Sequence, residues 1–316
     1  MDDAASAADA IAAIAAGLAE HGYLPTRRIA TALLLARELR KPILVEGPAG
    51  VGKTELAKAA GATFGLPLVR LQCYEGLDEA KALYEWKYGK QLLYTQILKD
   101  TFARHVEGAG AFDDAMERLR DVGDLFFSEQ FLDERPLLRA LRTPGGAVLL
   151  VDEVDKSDEE FEAFLLEVLS EFQVTIPEIG TVRALTPPLA VLTSNATREL
   201  GDALKRRCLH LALDYPDAAR EERIVAARVP GIDARLRAQL VAFVQQLRAV
   251  ELRKPPSIGE TIDWARALVL LHAAELGAEL VRETINVLLK YEDDVAVASA
   301  QSGALLAKAR AAARAV

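Results

Sequence analysis

Histidine and cysteine are scarce in this chain. Its 316 residues carry four histidines and two cysteines. The histidines are scattered, which argues against a metal site built on clustered imidazoles. Cys73 and Cys208 stand in no metal-ligand spacing and with no framework of pairs, so they read as reduced core thiols. Positive charge is in deficit too: 38 Lys and Arg face 47 Asp and Glu, a formal net charge of −9. That balance argues against constitutive nucleic-acid binding, although a local basic face stays open. The N-terminal MDDAASAADAIAAIAAGLAE carries Asp2, Asp3 and Asp9. It lacks the positive start of a secretory signal and the arginines of a transit peptide. No apolar run approaches the roughly 20 residues that cross a bilayer. The expectation is a soluble, cytoplasmic protein. With 51% hydrophobic residues it can bury a sizeable core, and its length admits two domains.

Against these absences stands one dense motif, Gly47-Pro48-Ala49-Gly50-Val51-Gly52-Lys53-Thr54. It follows the apolar run Ile43-Leu44-Val45 and precedes a helical pattern, the strand–loop–helix setting of a G-x-x-x-x-G-K-[ST] phosphate loop. The glycines let the backbone curl so that several N–H groups face one anion, and the following helix adds its positive N-terminal end. Lys53 has the reach for β- and γ-phosphates, and the Thr54 hydroxyl can ligate Mg²⁺. The motif predicts binding of a nucleoside triphosphate.

Strand and helix patterns alternate from there to about residue 214, which predicts an α/β domain with a mostly parallel sheet flanked by helices. Helical patterns cover residues 4–20, from about Thr26 to Leu39, and from about Lys53 to Phe64. Strands are expected at Leu68–Gln72, Ala147–Val151 and Leu189–Thr193. Ser157 and Glu160 have capping-box spacing and open a helix with apolar residues at Phe161, Phe164, Leu165, Val168, Leu169 and Phe172. Gln173–Ile176 and Thr181–Arg183 flank a turn and read as a hairpin. An acidic helical stretch is expected from Phe112 to Phe127. Residues 215–316 are helical in pattern throughout and predict a second, all-helical domain after an α/β domain of residues 1–214. The end, ALLAKARAAARAV, reads as a helix or a frayed tail.

Three further places carry chemistry. Asp152-Glu153 closes an apolar strand, at the edge where open α/β sheets bind ligands. Asp152 there can hold Mg²⁺ and Glu153 can polarise an attacking water; an acidic pair capping the next helix is the alternative, and the phosphate loop together with the apolar strand favours the functional reading. Asn195 ends the next strand, where its amide can orient water or simply make a turn. Arg206-Arg207 ends a helical stretch beginning at Gly201. A guanidinium there can reach a neighbouring subunit's γ-phosphate or merely satisfy the helix C-terminus. The aromatic piece Tyr84, Trp86 and Tyr88, with Lys87 and Lys90, favours core or partner contact over base stacking in so acidic a chain.

In that order, GPAGVGKT, AVLLVDEVDKSDEEFEAFLLEVLSEFQVTIPEIGTVRALTPPLAVLTSN and ALKRRCLHLALDYP resemble the MoxR family of AAA+ ATPases, over about residues 20–290. LQCYEGLDEAKALYEWKYGKQLL resembles the subgroup found beside molybdenum hydroxylases such as carbon monoxide dehydrogenase. The resemblance implies an AAA+ P-loop NTPase fold with a C-terminal helical lid, and ATP and Mg²⁺ as cofactors. Gly47 to Thr54 become Walker A. Asp152 and Glu153 become Walker B, with Glu153 as catalytic base. Asn195 becomes sensor 1, and Arg207 the arginine finger with Arg206 as fallback. It implies a hexameric ring, a partner bearing a von Willebrand factor A domain, and a metalloenzyme client that the motor matures. An ATP-gated ring scaffold is the alternative, and a DNA-acting motor a weaker one. The chain departs from the family at sensor 2. Where an S-P-R stretch is common, Pro256-Ser257-Ile258-Gly259-Glu260 has no arginine, and Arg266 follows two turns later.

Overall fold

The computed structural model of the chain describes residues 2–97, 99 and 127–312. The acidic helix expected from Phe112 lies outside the described residues, Phe127 apart. The chain divides into two compact units, Met1–Leu34 with Val45–Thr63 and Leu211–Val316, and Leu35–Leu44 with Phe64–His210. Five strands, β1 (Ile43–Glu46), β2 (Leu68–Gln72), β5 (Val148–Asp152), β8 (Leu189–Ser194) and β9 (Leu209–Ala212), form one sheet in the order β2-β5-β8-β1-β9. β2 pairs with β5 and β5 with β8 in parallel. All five residues of β5 are buried, which is why the sequence shows an unbroken apolar run there instead of alternation. β2 alternates instead, with Val69 and Leu71 buried and Leu68 and Arg70 exposed. Arg70 and Gln72 therefore share a face at the strand's C-terminal end, and Gln72 stands in register with Asp152.

The unit of Leu35–Leu44 and Phe64–His210 holds one apolar core. Leu149 and Val151 of β5 and Leu192 of β8 pack there with Phe131, Leu137 and Leu138. Helix α7 (Glu159–Glu171) adds Phe161, Leu165, Val168 and Leu169, the face that its spacing predicted. The cap differs by one residue from the sequence expectation. Asp158, not Ser157, accepts from the third residue into the helix, Phe161 N, at 2.8 Å, while Ser157 Oγ donates back to Val154 O. A 3₁₀ turn at Val154–Lys156 uses Ser157 as its own end, so the α-helix starts one position later. The hairpin forms as expected: β6 (Gln173–Ile176) pairs antiparallel with β7 (Gly180–Arg183). A second small sheet joins β3 (Tyr84–Trp86) to β4 (Leu132–Glu134). Trp86 is buried in the core, edge-on to Phe127, so the core reading of the aromatic piece holds for that residue, while Tyr88 is exposed. Helix α8 (Asp202–Arg207) follows β8.

The other unit contains α1 (Asp2–Glu20), α3 (Lys53–Phe64) and five helices after β9: α9 (Ala218–Arg228), α10 (Ala234–Arg248), α11 (Ile258–Leu270), α12 (Ala278–Leu288) and α13 (Glu292–Ala312). Its core is built on Leu240, Phe243, Val244, Trp264, Leu268 and Ile285. Of the Ala/Arg-rich end, residues 304–312 form the last part of α13 and bury Leu305, Leu306 and Ala309; residues 313–316 lie outside the described residues. One polar network crosses this core. Arg248 donates to both Glu221 oxygens, at 2.6 and 2.7 Å, and Thr261 Oγ1 donates to Glu221 Oε1 at 3.0 Å. Among the described residues no helix is long and apolar enough to cross a membrane.

Candidate functional site

The phosphate loop leaves β1 at Glu46 and enters α3 at Lys53. Its glycines answer to specific neighbours. Gly47 has φ +154°, and a Cβ there would lie 1.9 Å from the Leu213 carbonyl oxygen. That approach exists because Leu213 N donates to Glu46 O at 2.8 Å, tying the chain after β9 to the strand end. Gly50 has φ +74°, and a Cβ would meet Ser257 Cβ at 2.3 Å. Ser257 caps α11: its hydroxyl accepts from Glu260 N, and Glu260 returns a carboxylate oxygen to Ser257 N at 2.7 Å. Ser257 and Glu260 thus form a capping box against the phosphate loop. Lys53 is buried, and its ammonium donates to Gly47 O at 2.6 Å and Pro48 O at 2.7 Å. Pro48, Ala49 and Val51 complete the loop, and Thr54 is the second residue of α3. The first turn of any helix has N–H groups without an intrahelical acceptor, which suits an anion.

In the other unit, β5 ends in Asp152 and the chain turns sharply. Glu153 adopts a left-handed backbone, φ 57° and ψ 50°, uncommon for a residue with a Cβ and of order 1–3 kcal/mol in strain. Its amide donates to Thr193 Oγ1 at 2.9 Å, and the same hydroxyl donates to Asp152 Oδ1 at 2.5 Å. One β8 side chain thereby fixes both acidic residues. Asp152 is buried and its Oδ2 accepts from Arg70 at 2.6 Å. Three donors converge on the Glu153 carboxylate: Gln72 Nε2 at 3.0 Å, Asn195 Nδ2 at 3.3 Å and Lys156 Nζ at 2.6 Å. That bond holds the Lys156 ammonium above its ordinary pKa. Asn195 thus meets Glu153 directly.

Asp155, also buried, accepts from Asn195 N, Thr197 N and Thr197 Oγ1. Burial pushes its carboxyl up, but the hydrogen bonds from Thr197 and Asn195 outweigh it and the pKa lies below the usual value. Cys73 lies beside this cluster. Burial, reinforced by Asp152, Asp155 and Glu153, pushes its thiol up to about 12, so it serves as core and not as a nucleophile. Arg206 and Arg207 occupy the last turn of α8, both exposed; Arg206 makes a loose pair with Asp202 at 3.9 Å. Arg266 is exposed and pairs with Asp263 on its own helix at 3.2 Å.

Sequence reasoning missed Arg70, Gln72, Thr193, Asp155 and Lys156. For the first two the signal was present: polar residues at alternate positions on one face of a strand at the sheet's binding edge. Each motif by itself offers a hard oxygen donor, the Thr54 hydroxyl in one unit and the Asp152 carboxylate in the other, the ligand type that Mg²⁺ takes.

The profile of the AAA domain (dynein-related subfamily) matches residues 42–208, more than half of the chain. Over 228 residues the chain is 25% identical to the denitrification regulatory protein NirQ of Stutzerimonas stutzeri, covering 70% of this chain and 68% of that one. It is also 25% identical over 238 residues to an uncharacterised protein of Staphylococcus epidermidis, covering 73% and 77%. Among solved structures, the RuvB Holliday junction branch migration motor of Thermotoga maritima aligns with a TM-score of 0.44 and 15% identity, over 83% of this chain and 67% of that one. The profile match begins before β1 and ends after α8, so it takes in the phosphate loop, the Asp152-Glu153 turn and Asn195. The chain belongs to the AAA domain family, dynein-related subfamily.

Proposed function

We propose that this AAA protein hydrolyses Mg²⁺-bound ATP and uses the cycle to remodel or mature a partner protein. The observation that carries the reading is the turn after β5, where Glu153 is held in a left-handed backbone with the Asn195 amide 3.3 Å from its carboxylate. In this reading Gly47 to Thr54 cradle the phosphates. Lys53 exchanges its two carbonyl acceptors for phosphate oxygens. Thr54 and Asp152 would hold Mg²⁺, which would supply neutralisation of phosphate charge. Glu153 accepts a proton from the attacking water, Asn195 orients that water, and Arg207, or Arg206 beside it, stabilises phosphoryl charge in a neighbouring subunit. Residues 1–214 form the nucleotide-binding domain and 215–316 the lid. The family resemblance supports a hexameric cytoplasmic ring of MoxR type, a von Willebrand factor A domain partner and a metalloenzyme client. NirQ is named a denitrification regulatory protein, which is in keeping with a regulatory role for this chain.

Glu153→Gln is expected to bind ATP normally and to lose turnover by about 10²–10⁴-fold. Lys53→Ala is expected to lose binding itself. ATPase assays paired with equilibrium binding check both, and full turnover by purified Glu153→Gln sinks the enzymatic reading. An ATP-gated scaffold differs in one result: client activation would survive Glu153→Gln.

A further inference from the structure

Two buried carboxylates, Asp155 and Glu162, have no place in the hydrolytic roles above, yet each is only 3% exposed. Removing a carboxylate from water costs several kcal/mol unless donors compensate, so their partners matter. All of those partners belong to one stretch or its flanks. Residues 195–201 are an irregular connection from the end of β8 to α8, with Ala196 at φ 56°. Asp155 takes its beginning: Asn195 N donates to Oδ1 at 3.2 Å, and Thr197 N and Oγ1 donate to Oδ2 at 3.0 and 2.5 Å. Glu162, on α7, takes its end: Gly201 N, the cap of α8, donates to Oε2 at 2.8 Å, and Arg198 pairs with Oε1. Arg198 also donates to Ser157 O at 2.7 Å, between the two carboxylates in sequence.

The chemistry at Asp155 requires a carboxylate. Three donors share its two oxygens, and a carboxylate accepts all of them, whereas an amide would turn its own N–H groups against one of them. Glu162 faces a backbone donor and a guanidinium, the pairing that an ionised acceptor serves best. Both residues lie C-terminal to Glu153, Asp155 in the 3₁₀ turn that follows it and Glu162 in the first turn of α7. The connection they hold begins at Asn195, which touches Glu153, and ends at the helix whose last turn is Arg206-Arg207.

We propose that Asp155 and Glu162 are positioning residues that clamp residues 195–201 and thereby set α8, with Arg206 and Arg207, relative to Asn195 and Glu153. The inference rests on the proposed shared ATP site, and deepens it: the subunit that senses its own phosphate through Asn195 moves the arginine it offers to its neighbour through this clamp.

The test separates a subunit's own hydrolysis from the arginine it lends. One set of subunits carries Glu153→Gln, which cannot hydrolyse but keeps α8. The other carries Arg206→Ala with Arg207→Ala, which keeps Glu153 but depends on a neighbour's arginine. Co-expressed with different tags and purified as mixed assemblies, the two should recover ATP turnover at least tenfold above either alone. Adding Glu162→Gln to the Glu153→Gln subunit should reduce the recovered turnover at least fivefold, with binding of a fluorescent ATP analogue unchanged within threefold. A merely structural Glu162 would not do this, because the altered subunit performs no chemistry. Gly201→Pro is the second variant: its fixed φ suits the native −58°, and it removes the N–H that Glu162 accepts while leaving α7 intact. It should give the same loss. Undiminished recovery with both variants overturns the clamp. If the unmodified pair recovers nothing, it is the shared site that fails, and the clamp falls with it.

Discussion

At the scale of single residues, the phosphate loop shows that a glycine pattern conceals three different constraints. Gly47 is required by a backbone oxygen 1.9 Å from where its Cβ would sit, Gly50 by a side chain 2.3 Å away, and Gly52 only by its φ of +96°, since its nearest neighbour, Tyr23, stands 3.6 Å off. The order of damage on substitution by alanine is therefore Gly47 first, then Gly50, then Gly52. Gly52→Ala should cost about 1–2 kcal/mol from the left-handed backbone alone. Gly50→Ala should cost more, and Ser257→Gly should return part of the difference, with a coupling of about 0.5–3 kcal/mol in a double-mutant cycle. For Gly47→Ala no side-chain change relieves a clash with the Leu213 carbonyl. Urea midpoints of the five variants, without nucleotide, check the series. Equal losses at all three glycines would mean that backbone strain alone sets the cost.

At the scale of elements, the helical segment after β9 encloses a buried ion pair within its apolar core. Arg248 and Glu221 are both almost wholly enclosed, and Arg248 also stacks on Tyr215 at 4.6 Å and donates to Pro256 O, directly before the Ser257 cap. Removing one partner leaves the other charge buried without compensation, which typically costs 3–5 kcal/mol. Glu221→Ala is thus expected to lower stability by that amount, and Arg248→Met with Glu221→Leu to recover much of it; a loss below 1 kcal/mol in Glu221→Ala would show the pair to be dispensable. Neither residue stood out in the sequence, because no contiguous motif marks either one. The same limit runs through the candidate site. The phosphate loop and Asp152-Glu153 were legible because each is a contiguous motif beside an apolar strand. Arg70, Gln72 and Thr193 were not, because their meaning depends on strand register between residues some 40 to 80 positions apart. Asp155 and Glu162 were hidden differently. In an acidic stretch that opens a helix, buried carboxylates look like the capping charges around them, and the same ambiguity put the cap at Ser157 when Asp158 performs it.

At the scale of the whole molecule, these local environments set a pH window. On the acid side, Glu55 is held below its ordinary pKa chiefly by the hydrogen bond from Lys58, and Asp155 by donors from Thr197 and Asn195 that outweigh its burial. Both contribute stability above the unfolded-state pKa near 4, and that contribution is lost as pH falls through the lower folded values. On the alkaline side the sign reverses. Burial pushes Cys73, Cys208 and Tyr23 up to about 12. In the unfolded chain a thiol ionises near 8.5 and a phenol near 10, so above those values the unfolded state holds fewer protons than the native one and stability falls as pH rises. For Cys73, which is 1% exposed, the loss by pH 10 is about 2 kcal/mol. Denaturant unfolding followed from pH 7 to 10.5 should therefore show a decline that begins near pH 8.5. Cys73→Ala should be less stable at pH 7, where the cavity left by the sulfur dominates, yet should decline more gently, so that its deficit narrows by about 2 kcal/mol at pH 10. Parallel curves for the two proteins would mean that the Cys73 thiol ionises as readily in the folded chain as in the unfolded one.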